Sequence, residues 1–75
     1  MVHDGGMREV VITTGSIRLG QFLKLADVVD VGSDVKSLLE DGEVRVNGAP
    51  EARRGRQLVP GDVVAVGAVE LRVVE

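Results

Sequence analysis

Residues Glu43 to Leu58 read EVRVNGAPEARRGRQL, and the alternation at the start of this stretch decides what lies on either side of it. Val44 and Val46 fall on one face of a short strand, Val44 to Asn47, with Arg45 and Asn47 on the other. One face is core and the other is solvent. Asn47-Gly48 supplies the two residues that most readily take positive φ, which predicts a tight reversal and a hairpin, with Pro50 close behind. Beyond the turn, Arg53, Arg54 and Arg56 surround Gly55 where no apolar pattern asks them to pack, so this loop is the expected seat of function. Residues 44 to 58 hold four arginines against Glu51, a local net charge of +3 inside a chain whose total is −3. The distribution of charge carries more information than its sum.

Downstream, Val59-Pro60-Gly61-Asp62 places proline and glycine at the two central positions of a type II turn. It feeds a strand over Val63 to Val66. Gly67-Ala68 separates that strand from Val69 to Val74, where Val69, Leu71 and Val73 alternate with Glu70 and Arg72, closing a hairpin. Upstream, Val35, Leu38 and Leu39 give the buried face of a short helix, with Lys36 and Ser37 pointing elsewhere. Ser33 is placed to cap its first N–H groups, and Gly42 to close its end. An earlier helix follows from Leu19, Phe22, Leu23 and Ala26 at i, i+3, i+4 and i+7, with Lys24 on its polar side. Gly20 near its start costs up to ~1 kcal/mol relative to alanine, so packing must hold this helix. Asp27 to Val31 reads as a connector. Glu9 to Thr13 (EVVIT) is a β-branched strand whose apolar run implies pairing inside a sheet. Met1 to Arg8 is read as a flexible leader, and residues 9–75 as a single domain of the α+β class, two short helices packed on a small sheet of short strands.

Composition narrows the functions open to this fold. A chain of 75 residues without cysteine must fold on its apolar core alone, and one Phe with no Trp or Tyr leaves almost no surface for base stacking or an aromatic anchor. Recognition must be polar and electrostatic. No apolar run approaches a membrane span and no secretion signal opens the chain, so the expected location is cytoplasmic. His3 is the only histidine, and without cysteine it has no partners at ligand spacing, so no metal is expected. The glycines fall at turns and caps rather than in a phosphate-cradling loop, the carboxylates are scattered, and no catalytic residue or cofactor is expected.

The stretches FLKLADVV (Phe22 to Val29), VKSLLEDGEVRVNG (Val35 to Gly48), ARRGRQL (Ala52 to Leu58) and PGDVV (Pro60 to Val64) together resemble the small RNA-binding domain named after small-subunit ribosomal protein S-four. That domain also occurs appended to pseudouridine synthases and to tyrosyl-tRNA synthetase. FLKLADVV with RRGRQL is most similar to a subfamily that stands alone in bacteria at about this size. In that family two helices and the following strand form the RNA surface, so the resemblance implies RNA contacts at Lys24, Lys36, Asn47, Arg53, Arg54 and Arg56. Where many members carry a Ser-Arg pair at the start of the second helix, this chain has Gly32-Ser33-Asp34. An Asp in a first helical turn complements the positive end of the helix dipole.

Arginine offers a rigid fork of donors that grips phosphate oxygens bidentately, which suits the loop to this role. Without aromatic platforms, structured RNA read by shape, backbone and 2′-hydroxyls is the expected partner, with ribosomal RNA or a ribosomal particle the natural candidate. The protein is expected to act as a monomer. A second class is a protein-interaction module with an acidic surface. The PGDVV turn and the last hairpin also resemble pieces of ubiquitin-like sulfur carriers, but those end in Gly-Gly, whereas this chain ends Val73-Val74-Glu75.

Overall fold

The computed structural model describes residues 7–26 and 34–75. His3, most of the expected leader, the connector after Ala26 and the Ser33 cap lie outside them. The strands are β1 (Met7–Val11), β2 (Ile17–Arg18), β3 (Val44–Val46), β4 (Ala49–Pro50), β5 (Gln57–Leu58), β6 (Val63–Val66) and β7 (Val69–Val74), and the helices are α1 (Leu19–Leu25) and α2 (Asp34–Glu40). Five strands form one mixed sheet in the order β1-β7-β6-β3-β4, and β2 pairs with β5 in a second, two-stranded sheet. The fold is α+β, as the sequence predicts. None of the described helices is long and apolar enough to cross a membrane.

Alternation along the strands builds the core. Val44 and Val46 of β3, Val64 of β6, Leu71 and Val73 of β7 and Val10 of β1 turn inward and join one buried cluster with Leu19, Phe22, Leu23 and Ala26 of the first helical segment and Val35 and Leu39 of α2. Leu38 packs on the edge of that cluster, half-buried. The opposite face of the sheet carries Arg45, Glu70, Arg72 and Glu9, all exposed. No polar or charged side chain is buried among the described residues, so burial of apolar area carries the stability.

The end of α2 is closed as its sequence predicts. Gly42 takes φ +75°, and its N–H donates to the Leu39 carbonyl at 3.2 Å while the Glu43 N–H donates to that of Leu38 at 3.4 Å. This is the paired bonding of a Schellman motif, and it delivers the chain directly into β3. Asn47 and Gly48 both have positive φ, 53° and 86°, so β3 and β4 are joined by the two-residue reversal expected from Asn-Gly, with Val46 opposite Ala49.

Two expectations are corrected. The first strand begins at Met7 and ends at Val11, and it does not lie inside the sheet: among the described strands it is an edge strand whose one neighbour, β7, runs parallel to it. The run of apolar residues is therefore covered on one face only, and Val11 is 59% exposed. Charges at Arg8 and Glu9 suit an edge. Arg8 has a further role, since its Nη2 donates to the Ala26 carbonyl at 2.6 Å and places a cation at the C-terminal end of α1. The second correction concerns β2 and β5, which the sequence did not reveal because two residues are too few to carry a period.

Candidate functional site

The arginine loop is fixed to α1 by its own backbone. A helix leaves its first N–H groups without internal partners, and Arg18, at the N-cap, makes no side-chain bond to them. The loop carbonyls take that role: the Leu19 N–H donates to the Arg56 carbonyl at 2.8 Å and the Gly20 N–H to that of Arg54 at 2.9 Å. Glycine favours this approach, since a Cβ at position 20 would lie 3.3 Å from the Cβ of Arg54, a tight contact that would need a small shift to relieve it. The residue that weakens the helix intrinsically also leaves room for the arginine loop beside it.

Glu51 organises the loop from the other side. Its carboxylate accepts the backbone N–H of Arg53 at 3.1 Å, the Nε of Arg53 at 3.2 Å and Nη1 of Arg56 at 3.1 Å. The side chain of Glu51 is 9% exposed, whereas those of Arg53 and Arg56 are 80% and 33% exposed. Donation by the Arg53 backbone N–H, and then by the two guanidinium groups, lowers the Glu51 carboxyl from its usual 4.5 to about 2. The ionised form is thus favoured in the fold. Its stabilising contribution should be complete above pH ~4.5 and disappear as pH falls toward ~2. Melting curves of the parent and of Glu51→Gln across that window should converge on acidification. Curves that stay parallel from pH ~5 to ~2 would mean that these pairings do not hold the loop in solution.

Arg54 is arranged differently. It lines a cleft of about 250 Å³ together with Arg18, Gln21 and Lys24, with Gly20 and Val35 in its wall. It also borders a neighbouring hollow of about 320 Å³ that contains Lys36 and Glu40. Lys24, Arg54 and Lys36 therefore lie along one strip, with Arg54 shared between the two depressions. The ion pairs among the described residues are those of Glu51 and a long contact of 3.9 Å between Arg72 and Glu9. Arg18, Lys24, Lys36 and Arg54 pair with no carboxylate among these residues.

The six residues implied by the resemblance thus fall into separate groups. Lys24, Lys36 and Arg54 share the strip, and Arg53 and Arg56 sit beside it in the grip of Glu51. Asn47 lines neither depression. Its Nδ2 donates to Asp62 Oδ1 at 3.1 Å, its Oδ1 accepts the Val63 N–H at 3.0 Å, and its own N–H donates to the Val63 carbonyl at 2.7 Å. Asp62 in turn accepts the Val59 N–H through Oδ2 at 3.0 Å, so Asn47 ties one hairpin to the Pro60-Gly61 turn. Arg45, the fourth arginine of the basic segment, lies on the far face of the sheet in a hollow with Glu43 and Glu70. Arg18 was not picked out by sequence reasoning. Only the docking of the loop on α1 brings it beside Arg54.

Comparison with known proteins gives the family. The protein is 53% identical over 57 residues to the "Probable ribosome maturation protein RlbA" of Bacillus subtilis (strain 168), a match that covers 76% of this chain and 80% of that protein. The two are therefore similar in length. The sequence profile described as "S4 domain" matches residues 10–74, from β1 to the last residue of β7 and across the docked loop and both helices. A match over nearly the whole described fold, including the element that carries the unpaired cations, shows that the chain belongs to the S4 domain family.

Proposed function

We propose that the protein binds structured RNA, with ribosomal RNA as its target, through the strip on which the arginine loop, by Arg54, meets Lys24 and Lys36 at the helix edges. The observation that carries this reading is the gathering of cations from two helices and a docked loop without carboxylate partners among the described residues. Cations without ion-pair partners attract a phosphate backbone, and a guanidinium holds phosphate bidentately. With a single Phe, fully buried, and no Trp or Tyr, the described residues have no exposed aromatic ring to offer an unstacked base. A folded RNA presenting phosphates and 2′-hydroxyls is the partner such a surface suits. The family membership and a relative whose name states ribosome maturation support the same reading. On this reading the protein is not an enzyme and works in the cytoplasm as a monomer. It contributes binding alone.

The test is a salt titration of binding to purified ribosomal RNA, comparing the parent with a variant carrying Arg53→Ala, Arg54→Ala and Arg56→Ala. Affinity should fall, and the plot of log affinity against log salt should flatten by roughly 0.7 to 0.9 for each phosphate contact removed. Thermal melts of both proteins belong with it, because Arg56 is tied to Glu51. A folded triple variant that binds with the parent's affinity and slope would end the RNA reading.

A further inference from the structure

The three arginines of the loop are not equivalent. Glu51 engages Arg53 twice and Arg56 once, so two cations and one carboxylate form a partly compensated group. The Glu51 side chain is 9% exposed and accepts three hydrogen bonds within the loop. A phosphate approaching Arg53 or Arg56 therefore meets a negative charge as well. Arg54 lies between them in sequence yet lines the cleft with Arg18 and Lys24, whose wall contains no carboxylate among the described residues, and borders the hollow where Glu40 lies beside Lys36 without an ion pair to Arg54. Because the carbonyls of Arg54 and Arg56 are both bonded to N–H groups of α1, the loop cannot roll to exchange these places. Gln21 adds an amide to the same cleft.

Building on the RNA-binding reading above, we infer that an RNA phosphate is gripped in this cleft by Arg18, Lys24 and Arg54, whereas Glu51 withholds Arg53 and Arg56 from RNA and uses them as positioning residues that keep Arg54 aimed. Glu51 thereby sets how much of the loop's charge reaches the ligand. Neutralising it without removing its acceptor, as in Glu51→Gln, releases two guanidinium groups to the phosphate backbone while the Arg53 N–H retains a partner.

The experiment is the same titration with purified ribosomal RNA, now on single variants whose melting is recorded in parallel. Arg54→Ala and Arg18→Ala should each flatten the slope by roughly 0.7 to 0.9, while Arg53→Ala should leave it unchanged. Glu51→Gln should steepen the slope, and Arg53→Ala placed in that background should flatten it again. A purely structural role for Glu51 would not produce that reversal. If Arg53→Ala flattens the parent's slope as much as Arg54→Ala, or if Arg18→Ala has no effect, the division is wrong while RNA binding stands. If Glu51→Gln binds with the parent's slope, its control over the loop's charge is refuted. If even the triple arginine variant leaves the slope untouched, the RNA reading fails and this inference fails with it.

Discussion

Phe22→Ala should leave the protein largely unfolded at moderate temperature. Phe22 is the single aromatic residue, it is 0% exposed, and it belongs to the one cluster that joins the helices to the sheet. Truncating a buried Phe to Ala removes transfer free energy and leaves a cavity, together about 3–5 kcal/mol. A domain of this size has roughly 4–11 kcal/mol in total at the usual stability per residue. The chain has no cysteine for a disulfide, and no buried polar network among the described residues, to absorb the loss. The melting temperature should drop by more than roughly 12 °C, followed by far-UV circular dichroism because the chain has no Trp or Tyr. Phe22→Leu should retain most of the stability. If Phe22→Ala melts within a few degrees of the parent, the helices do not share a core with the sheet.

Asn47→Ala should cost about 2 kcal/mol or more and leave the salt dependence of RNA binding intact. The position has φ 53°, where a residue with an ordinary Cβ is strained by roughly 1–2 kcal/mol and asparagine is tolerated. The substitution also removes the bonds to Asp62 and to the Val63 N–H, each worth roughly 0.5–1.5 kcal/mol. Asn47→Gly separates the two effects, since it keeps the turn and loses only the bonds, so it should be the milder change. A flattened salt slope in Asn47→Gly, with melting unchanged, would instead assign Asn47 to the RNA surface.

Asn47 also illustrates where sequence reasoning reaches and where it stops. Its identity beside Gly48 announced the reversal correctly, because turn geometry is a local property of two residues. The use of its amide depends on Asp62, and a strand pairing has to form before the two meet. The helices and the longer strands were legible for a similar reason: the apolar period at Leu19, Phe22, Leu23 and Ala26, or at Val69, Leu71 and Val73, is written along one segment. Ile17–Arg18 and Gln57–Leu58 carry no such period, and their pairing is what brings Arg18 to the cleft. Gly20 was read only for its cost to the helix, since the loop it admits is more than thirty positions away. Glu51 is the one feature that could have been read locally. A carboxylate two residues before Arg53 and five before Arg56 was counted as a single negative charge, although its closeness to both already allowed it to hold them.

The parallel pairing of β1 with β7 has a consequence for how the protein comes into being. β1 has no other neighbour among the described strands, and its register runs from Met7 opposite Glu70 to Val11 opposite Val74. During vectorial synthesis β1 leaves the exit tunnel before every other described element, whereas its partner β7 leaves after all of them. Val10 and Ile12, both buried in the finished fold, remain in water throughout that interval. Closing so large a loop is entropically unfavourable and is repaid only when the sheet completes. A nascent chain stalled after β6 should therefore be protease-sensitive in its first strand, and acquire protection there once β7 is released.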